Sequence, residues 1–175
     1  MNWRRGILRT LAALIAIVGL AGCGPKDQLD LTVKSATFSE YNFWLNDDYS
    51  QLSPLVQRDY DESYRELSLA TMTDKSGLSP EDQKLQTLAS INGQTVRTVI
   101  IEGFKAEIRR LQVVRADASK LLIENEALLA TPSTPAQISA MRMTIESIHA
   151  HLTLLDHQIA PLQQRIDELS KGAQP

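Results

Sequence analysis

The chain is poor in cysteine, in glycine and proline, and in positive charge, and each shortage excludes a class of protein. A single cysteine among 175 residues excludes a disulfide scaffold and a multi-cysteine zinc module. Seven prolines and eight glycines are too few for a collagen-like or proline-rich low-complexity chain. Because 18 basic residues stand against 21 acidic ones, the chain is not a polybasic nucleic-acid binder.

The main apolar run lies near the amino terminus and is short. It covers residues 11–20, about half of the ~20 residues that a bilayer-spanning helix needs, which argues against a permanent membrane helix. Arg4, Arg5 and Arg9 precede it, and residues 1–22 contain no acid. A positive start, a short apolar centre and small residues before a cleavage point are the parts of a secretory signal.

Residues 20–23 read Leu-Ala-Gly-Cys, and each one matches its place in the lipobox of bacterial lipoproteins. The segment therefore resembles a lipoprotein signal, and the resemblance covers this segment alone. It implies cleavage between Gly22 and Cys23, diacylglycerol on the Cys23 thiol and usually a further acyl chain on the new amino terminus. Gly24, where an aspartate would favour inner-membrane retention in enterobacteria, implies the outer membrane. The alternative is an ordinary signal peptide followed by a chance cysteine.

Removal of residues 1–22 would change the charge of the protein. The three arginines leave with that segment, so 15 basic residues remain against 21 acidic ones and the formal charge becomes −6. A moderately acidic body should not adhere to nucleic acid or anionic lipid through bulk charge. Lipidation of Cys23 would leave no free thiol, which suits an oxidising periplasm.

After a lipidated tether at residues 23–35, the sequence predicts a single helical-bundle domain over residues 36–175. A capping residue followed by proline marks three helix starts: Ser53-Pro54, Ser79-Pro80 and Thr134-Pro135. The domain divides into aromatic-rich N-terminal helices and two long helices, at 36–78, 80–130 and 135–171. The short connection between the long helices predicts that they pair as an antiparallel hairpin.

The last segment has the clearest pattern. Apolar residues recur at alternating spacings of three and four: Ile138, Met141, Ile145, Ile148, Leu152, Leu155, Ile159, Leu162, Ile166 and Leu169. An unbroken apolar seam of this length is a strong coiled-coil signal. Pro161 lies off the seam, and we expect it to kink the helix without ending it, because the seam keeps its phase.

Residues 80–130 predict a long helix with a broader apolar face. Two overlapping seams suggest two neighbouring helices. Gly103 beside Phe104 suits a close helix approach, although a lone glycine inside a helix is also tolerated. Asn92-Gly93 leaves three readings open: a continuous helix, which we favour, a break, or a hairpin turn. The predicted fold class is all-α, an elongated bundle of three to four helices with a long antiparallel coiled-coil hairpin.

Aromatic residues make up only 5% of the chain, and seven of them lie within residues 38–64. Trp44, Tyr41, Tyr60 and Tyr64 form a candidate partner or ligand surface, because tryptophan and tyrosine beside acids make good hot spots. The alternative, which we favour, places them in the core of the first two helices, since Tyr60 and Tyr64 are four residues apart. A membrane-facing role is a third reading, because aromatic residues favour the membrane interface.

Charged residues give weaker signals. Arg109 and Arg110 belong to a small basic patch, which serves either surface charge balance or the docking of an acidic partner. The acids that accompany the aromatic residues are read as a solvated face: Asp47, Asp48, Asp59, Asp61, Glu62 and Glu66. The spacing of His149, His151 and His157 does not suit a helical metal site. No HExxH, GxSxG, Walker or dinucleotide motif occurs, so we predict no catalytic residue, no metal and no cofactor besides the lipid.

These observations predict a non-enzymatic, lipid-anchored envelope protein that faces the periplasm. Its helical body would act as a scaffold or adaptor for another envelope protein, or would assemble with itself. The alternative is a ligand-binding lipoprotein that uses the tyrosine- and tryptophan-rich N-terminal helices. A third and less favoured reading is an enzyme acting on peptidoglycan through Glu62 or Asp61.

Overall fold

The computed structural model describes residues 27–131 and 134–172. Within these ranges the fold is all-α, as predicted, and five α-helices pack together. In chain order they are α1 Phe38–Asp47, α2 Pro54–Asp74, α3 Pro80–Ile91, α4 Val96–Leu129 and α5 Pro135–Lys171. Short 3₁₀ turns lie at Gln28–Asp30 and Tyr49–Gln51. No helix in these ranges combines the length and hydropathy that crossing a bilayer requires.

Local sequence explains where several helices begin. The Thr134 hydroxyl accepts a hydrogen bond from the Gln137 amide, and the Gln137 side chain accepts one from the Thr134 amide, so the predicted capping box is formed. Ser79 caps α3 with its own hydroxyl. Ser53 makes no such bond, and α2 relies on Pro54, whose fixed φ suits the first helical position.

The core lies where α1, α2, α3 and the first turns of α4 come together. The Trp44 ring packs 5.9 Å from the Tyr41 ring and 5.3 Å from the Tyr60 ring, measured between centroids. Aliphatic side chains of α3 and α4 enclose these rings: Leu88, Ile91, Val96, Val99 and Ile100. The C-terminal end of α5 adds Ile166 and Leu169 to the same core.

The favoured prediction of one continuous helix over residues 80–130 is wrong, because the chain breaks between α3 and α4. Gly93 has a φ of 77°, a left-handed conformation that glycine adopts without strain. The Gly93 amide donates to the Val33 carbonyl, and the Val33 amide donates to the Gln94 carbonyl. The hairpin reading is wrong as well, since Thr95 caps the next helix instead of starting a strand.

The prediction of a tether at residues 23–35 is wrong for residues 27–35, which belong to the packed body. Val33 and Ser35 have no exposed surface. The Ser35 hydroxyl donates to the Leu88 carbonyl of α3 at 2.7 Å. The polar composition of this segment resembles a solvated linker, but its polar groups find their partners inside the fold.

Arg97 of α4 connects three parts of the chain that are far apart in sequence. Only 5% of Arg97 is exposed. Its guanidinium donates to Asp27 at 2.6 Å, to Asp30 at 3.2 Å and to the Leu169 carbonyl at 3.1 Å. A buried charge is tolerated only when it is paired and hydrogen-bonded, and these contacts meet that condition.

Helices α4 and α5 pack against each other and run in opposite directions. Arg97 near the start of α4 contacts Leu169 near the end of α5, and Arg115 further along α4 donates to Asp156 at 2.7 Å. Every apolar residue of the predicted α5 seam is buried or half-buried. Helix α5 continues through Pro161.

Helix α2 packs on another side of α4 and runs in the same direction as α4. The Ser63 hydroxyl donates to the Ile100 carbonyl, and Glu66, further along α2, accepts from Arg110, further along α4. Gly103 marks the point of closest approach. A Cβ atom there would overlap Ser63 Cβ and lie 2.6 Å from the Ser63 carbonyl oxygen. The reading of Gly103 as a close-approach residue is confirmed.

Candidate functional site

The predicted lipidation and cleavage residues, Cys23 and Gly22, lie outside the residues that the structure describes and remain predictions. The described chain starts at Asp27, and the Asp27 carboxylate already pairs with Arg97. The packed body therefore begins only a few residues after the predicted lipid.

The candidate surface of four aromatic residues is wrong as a solvent-facing surface. Tyr60 exposes 0% of its surface, Trp44 2% and Tyr41 8%, and Tyr64 is half-buried. The Tyr41 ring stacks on Tyr64, and the Trp44 ring tilts against Tyr60. Large aromatic rings contribute most when they are enclosed, and these rings enclose one another.

Burial also changes the acidity of the tyrosines. It raises the pKa of Tyr41 to about 12 and raises the pKa values of Tyr60 and Tyr49 as well. The Tyr41 and Tyr60 hydroxyls lie 3.4 Å apart, and the Tyr49 hydroxyl donates to Asp61 at 2.8 Å. These phenols therefore keep their protons at neutral pH and act as hydrogen-bonding groups.

A shallow cleft beside α1 has a volume of about 310 Å³ and is lined in part by Trp44 and Phe43. Phe43 is 68% exposed, and Glu40 and Asn92 also border the cleft. The Trp44 indole Nε1 is buried and has no hydrogen-bond partner among the described residues. A buried donor without a partner is unusual in a folded protein.

Two acids that the sequence assigns to a solvated face are in fact buried. Asp59 and Glu66 each expose 3% of their surface. Arg110 donates to both Glu66 oxygens, at 2.9 and 3.0 Å, and Arg165 donates to Asp59 at 3.0 Å. Such charge-assisted pairs satisfy carboxylates that are removed from water. The spacing along α2 could have indicated this burial. Asp59 lies three residues after the buried Val56, and Glu66 lies seven residues after Asp59, so all three fall on nearly the same face of the helix.

Glu107 lies beside the Glu66–Arg110 pair, and its environment disfavours its charge. Burial raises the pKa of the Glu107 carboxyl, the Glu66 carboxylate raises it further, and Arg110 opposes the rise. The folded state therefore holds this proton more tightly than the unfolded chain does. As the pH rises from 4.5, the ordinary pKa, through the raised value, Glu107 makes the fold progressively less stable.

We expect Glu107→Gln to raise the melting temperature at neutral pH and to remove this part of the pH dependence. Thermal melts from about pH 4 to pH 8 measure both effects. Glu126→Gln, at an exposed position of the same helix, should follow the wild-type curves. A Glu107→Gln protein with an unchanged melting temperature and an unchanged pH profile would contradict the argument.

The two candidate arginines of the basic patch have different surroundings. Arg110 donates to the buried Glu66, and this hydrogen bond raises the pKa of the Arg110 guanidinium. Arg115 pairs with Asp156. Arg109 is exposed and has no ion-pair partner within the described ranges. Of the two candidates, Arg109 is therefore the one available to another molecule.

A groove of about 410 Å³ separates the C-terminal half of α2 from α4, and Arg109 lies at its edge. Its wall is mostly aliphatic: Leu69, Ala70, Ala106, Val113 and Val114. Sequence reasoning missed this groove because its two sides lie on helices that are distant along the chain. The groove reaches the end of α2, because Asp74 lines it.

Helix α2 packs on one side of α4 and ends at Asp74. Past that level, the same side of α4 carries large apolar residues. Val114 borders the groove, and Leu121 and Leu128 follow at intervals of seven, which keeps them on nearly the same side of a helix. The exposed fractions are 39% for Val114, 52% for Leu121 and 50% for Leu128. The second neighbour predicted for this helix is therefore present along only part of its length in the described chain.

Helix α5 extends the same surface. Pro161 borders a cleft together with Glu62 of α2, so it marks the α2 side of α5. Leu154 lies seven residues before Pro161 and Met143 lies eleven residues before Leu154, so both lie near that side. Both are more than half exposed. We call the five exposed residues the distal face: Val114, Leu121, Leu128, Met143 and Leu154.

The three histidines of α5 do not form a site with each other. His149, His151 and His157 are all exposed. In the part of the chain that the structure describes, no group of histidine, cysteine and acidic side chains is arranged to hold a metal ion.

Comparisons of the chain with known protein families, with curated proteins and with solved structures find no match.

Proposed function

We propose that this protein is a non-enzymatic, lipid-anchored envelope protein that faces the periplasm from the outer membrane. Its helical body acts as a scaffold or adaptor, for another envelope protein or for its own assembly. The observation that carries this proposal is the distal face, a set of large apolar residues exposed where α4 and α5 extend past α2. Exposed apolar patches of this kind mark interaction surfaces. The Leu-Ala-Gly-Cys signal supports the anchor.

The finer architecture is part of the proposal. Helices α4 and α5 form an antiparallel coiled-coil hairpin, and the whole body is elongated. The support is the α5 seam, whose residues all turn inward, with Leu155 only 3% exposed. At about 1.5 Å per residue, α4 is about 51 Å long and α5 about 56 Å.

The position of the lipid anchor determines which end of the hairpin lies near the membrane. Asp27, four residues after Cys23, pairs with Arg97 in the first turn of α4. Four extended residues span at most about 14 Å, so the lipid would hold this end of α4 close to the membrane surface. The distal face lies toward the other end of α4, where it can meet a partner away from the bilayer.

The surroundings of the acids favour a non-enzymatic role. Asp59 and Glu66 are committed to arginine partners, and a carboxylate tied in this way is not free for proton transfer. Asp61, one of the two acids considered for hydrolysis, is exposed and accepts a hydrogen bond from Tyr49. Glu62 borders two shallow clefts on the surface.

The anchor is tested by Cys23→Ala. We expect loss of labelling by a fatty-acid analogue and accumulation of the uncleaved precursor, because the acceptor thiol is missing. Gly24→Asp is the matched control, since it should keep the label and move the protein to the inner membrane in an enterobacterial host. Labelling that survives Cys23→Ala would refute the anchor. An unchanged location of Gly24→Asp would refute the sorting assignment.

The adaptor role is tested by photocrosslinking in living cells. A photoreactive residue at Leu121 samples the distal face, and one at Ile123 samples a different side of α4 with a similar exposure of 66%. We expect an identified envelope protein, or a second copy of the chain, to be captured at Leu121 and not at Ile123. Equal capture at both positions, or none at either, would contradict the role of the distal face.

The cleft beside Trp44 supports a second candidate function, the binding of a small polar molecule. Its support is the cleft itself, which Trp44 and the exposed Phe43 line together with Glu40 and Asn92. Trp44 would be the single tryptophan after signal cleavage, so its fluorescence reports on this site alone. A saturable spectral shift on titration with small-molecule fractions of envelope extract, lost in Phe43→Ala, is expected if the cleft binds a ligand. The absence of any shift would refute this candidate.

A further inference from the structure

We propose that a second copy of this chain covers the distal face, with the α4 helices of the two copies antiparallel around a twofold axis near Asp117. The inference rests on the proposed function and specifies its self-assembly form. It follows from the apolar residues of α4, from the order of charges along α4, and from the groove between α2 and α4.

The apolar residues define which side of α4 is available. The side that α2 covers as far as Asp74 continues as Val114, Leu121 and Leu128, all at least one-third exposed. Removal of such a stripe from water is favourable. Ile123 is also exposed, but it lies about 200° around the helix from Leu121 and does not belong to the stripe.

The charges along this side favour an antiparallel partner. At the α2 end, Arg110 is already neutralised by Glu66 and Glu107, which leaves Arg109 as the unpaired positive charge among the residues described there, whereas Asp117 and Glu124 lie toward the other end. A parallel copy would place like charges level with each other, which is unfavourable. An antiparallel copy can place its Glu124 level with Arg109, which has no ion-pair partner in the described chain. Glu124 itself has only an exposed contact with Lys120 at 3.9 Å, which is weak.

The same alignment also brings apolar residues of the two copies close to each other. When Glu124 of the second copy lies level with Arg109, Leu121 of the second copy lies about level with Val113. Leu128 of the second copy then lies about level with Ala106, over the groove of about 410 Å³ between α2 and α4. Because the arrangement is twofold symmetric, each of these contacts occurs twice.

The alignment has an unfavourable contact at its centre, which a neighbouring residue offsets. Asp117 falls near the twofold axis and meets its own counterpart. Lys120 of the opposite copy lies within one helical turn of each Asp117 and can pair with it. On α5, the residues between Met143 and Leu154 along the same side are small, Ser147 and Ala150, so they allow close approach of the second copy.

The size of the uncovered surface is that of a small interface. The stretch from Val114 to Leu128 is about 21 Å long and two helices side by side are about 20 Å wide, which gives about 420 Å² per copy. This is about half of the ~800 Å² per partner of a standard specific interface, so we expect a dimer in reversible exchange with the monomer.

The apolar contact is tested by Leu121→Asp, with Ile123→Asp as the matched control. Sedimentation equilibrium of the full-length protein in detergent should give a dimer for the wild type and for Ile123→Asp. We expect the dissociation constant of Leu121→Asp to rise by about a hundredfold, because a charge enters the apolar interface in both copies. A monomeric wild type, or equal effects of the two substitutions, would overturn the proposal.

The orientation is tested by charge reversal. Arg109→Glu and Glu124→Arg should each weaken the dimer by about tenfold, because each places like charges together at two symmetric points. The double variant should recover most of the wild-type affinity. Arg142→Glu, at an exposed position on α5, should have no effect. Failure of the double variant to recover would overturn the antiparallel alignment.

The axis is tested by Asp117→Cys in native membranes. Oxidation should join two copies through this position, whereas Gln112→Cys on another side of α4 should give no such product. The wild type, with Cys23 as its only cysteine, is the background control. Absence of the Asp117→Cys product would overturn the axis. Fatty-acid labelling of Cys23 in the same samples keeps a failed dimer separate from a failed anchor.

Discussion

Gly103→Ala is expected to destabilise the fold by about 3 kcal/mol, although alanine is the better helix former by about 1 kcal/mol. The added Cβ atom would overlap Ser63 Cβ and approach the Ser63 carbonyl oxygen to 2.6 Å. These are fixed atoms of α2, not the end of a flexible side chain. Relief of the overlap requires α2 to move away from α4, which would also disturb the nearby Glu66–Arg110 pair.

Chemical denaturation of the full-length protein measures this effect. Gly77→Ala is the matched control, because no atom lies within 4 Å of the Cβ position at Gly77. Gly77 also lacks the positive φ that would strain an alanine. We expect Gly77→Ala to leave the free energy of unfolding nearly unchanged. A Gly103→Ala protein as stable as the wild type would contradict the close packing of α2 on α4.

Local sequence was sufficient for the features that depend on near neighbours. The capping box at Thr134 and Gln137 involves residues three apart, and the α5 seam repeats within a few residues. Both could be predicted because hydrogen-bond geometry and helical periodicity act over one or two turns. Gly103 could also be recognised, since glycine lacks the Cβ atom that would hold a neighbouring helix away.

The features that the sequence did not reveal depend on contacts between distant segments. The chain breaks at Gly93 because Val33, sixty residues earlier, pairs with the turn. Residues 27–35 look like a linker until Leu88 and Arg97 supply their partners. Asp59 is buried because Arg165 reaches it from the other end of the chain. Composition and periodicity carry no information about such pairings.

The candidate site also combines features that local sequence indicates with features that depend on distant contacts. The dense group of aromatic residues allowed both a surface and a core, and the favoured core reading agrees with the burial of Trp44 and Tyr60. The distal face was visible in part, because its three α4 residues belong to the broad apolar face predicted for residues 80–130. The sequence could not show that α2 ends at Asp74 and leaves Leu121 and Leu128 uncovered in the described chain.

Leu155→Asp is expected to cost at least about 4 kcal/mol of stability. Leu155 is 3% exposed in the seam between α5 and α4. Truncation of a buried leucine costs about 2–5 kcal/mol by itself, and a carboxylate without a partner adds a desolvation cost. The variant should therefore melt far below the wild type, or fail to fold.

Leu154→Asp is the matched control, because it makes the same leucine-to-aspartate change at an exposed position. Leu154 is 54% exposed, so the change lies one residue away and buries no charge. Melting of dilute protein, where self-association does not contribute, should leave Leu154→Asp close to the wild type. If the two variants melted alike, the seam would not be buried and the coiled-coil hairpin would be wrong. If only Leu155→Asp unfolds, the inward face of α5 holds the body together, and Leu154 on the outward side is free to contact a second copy.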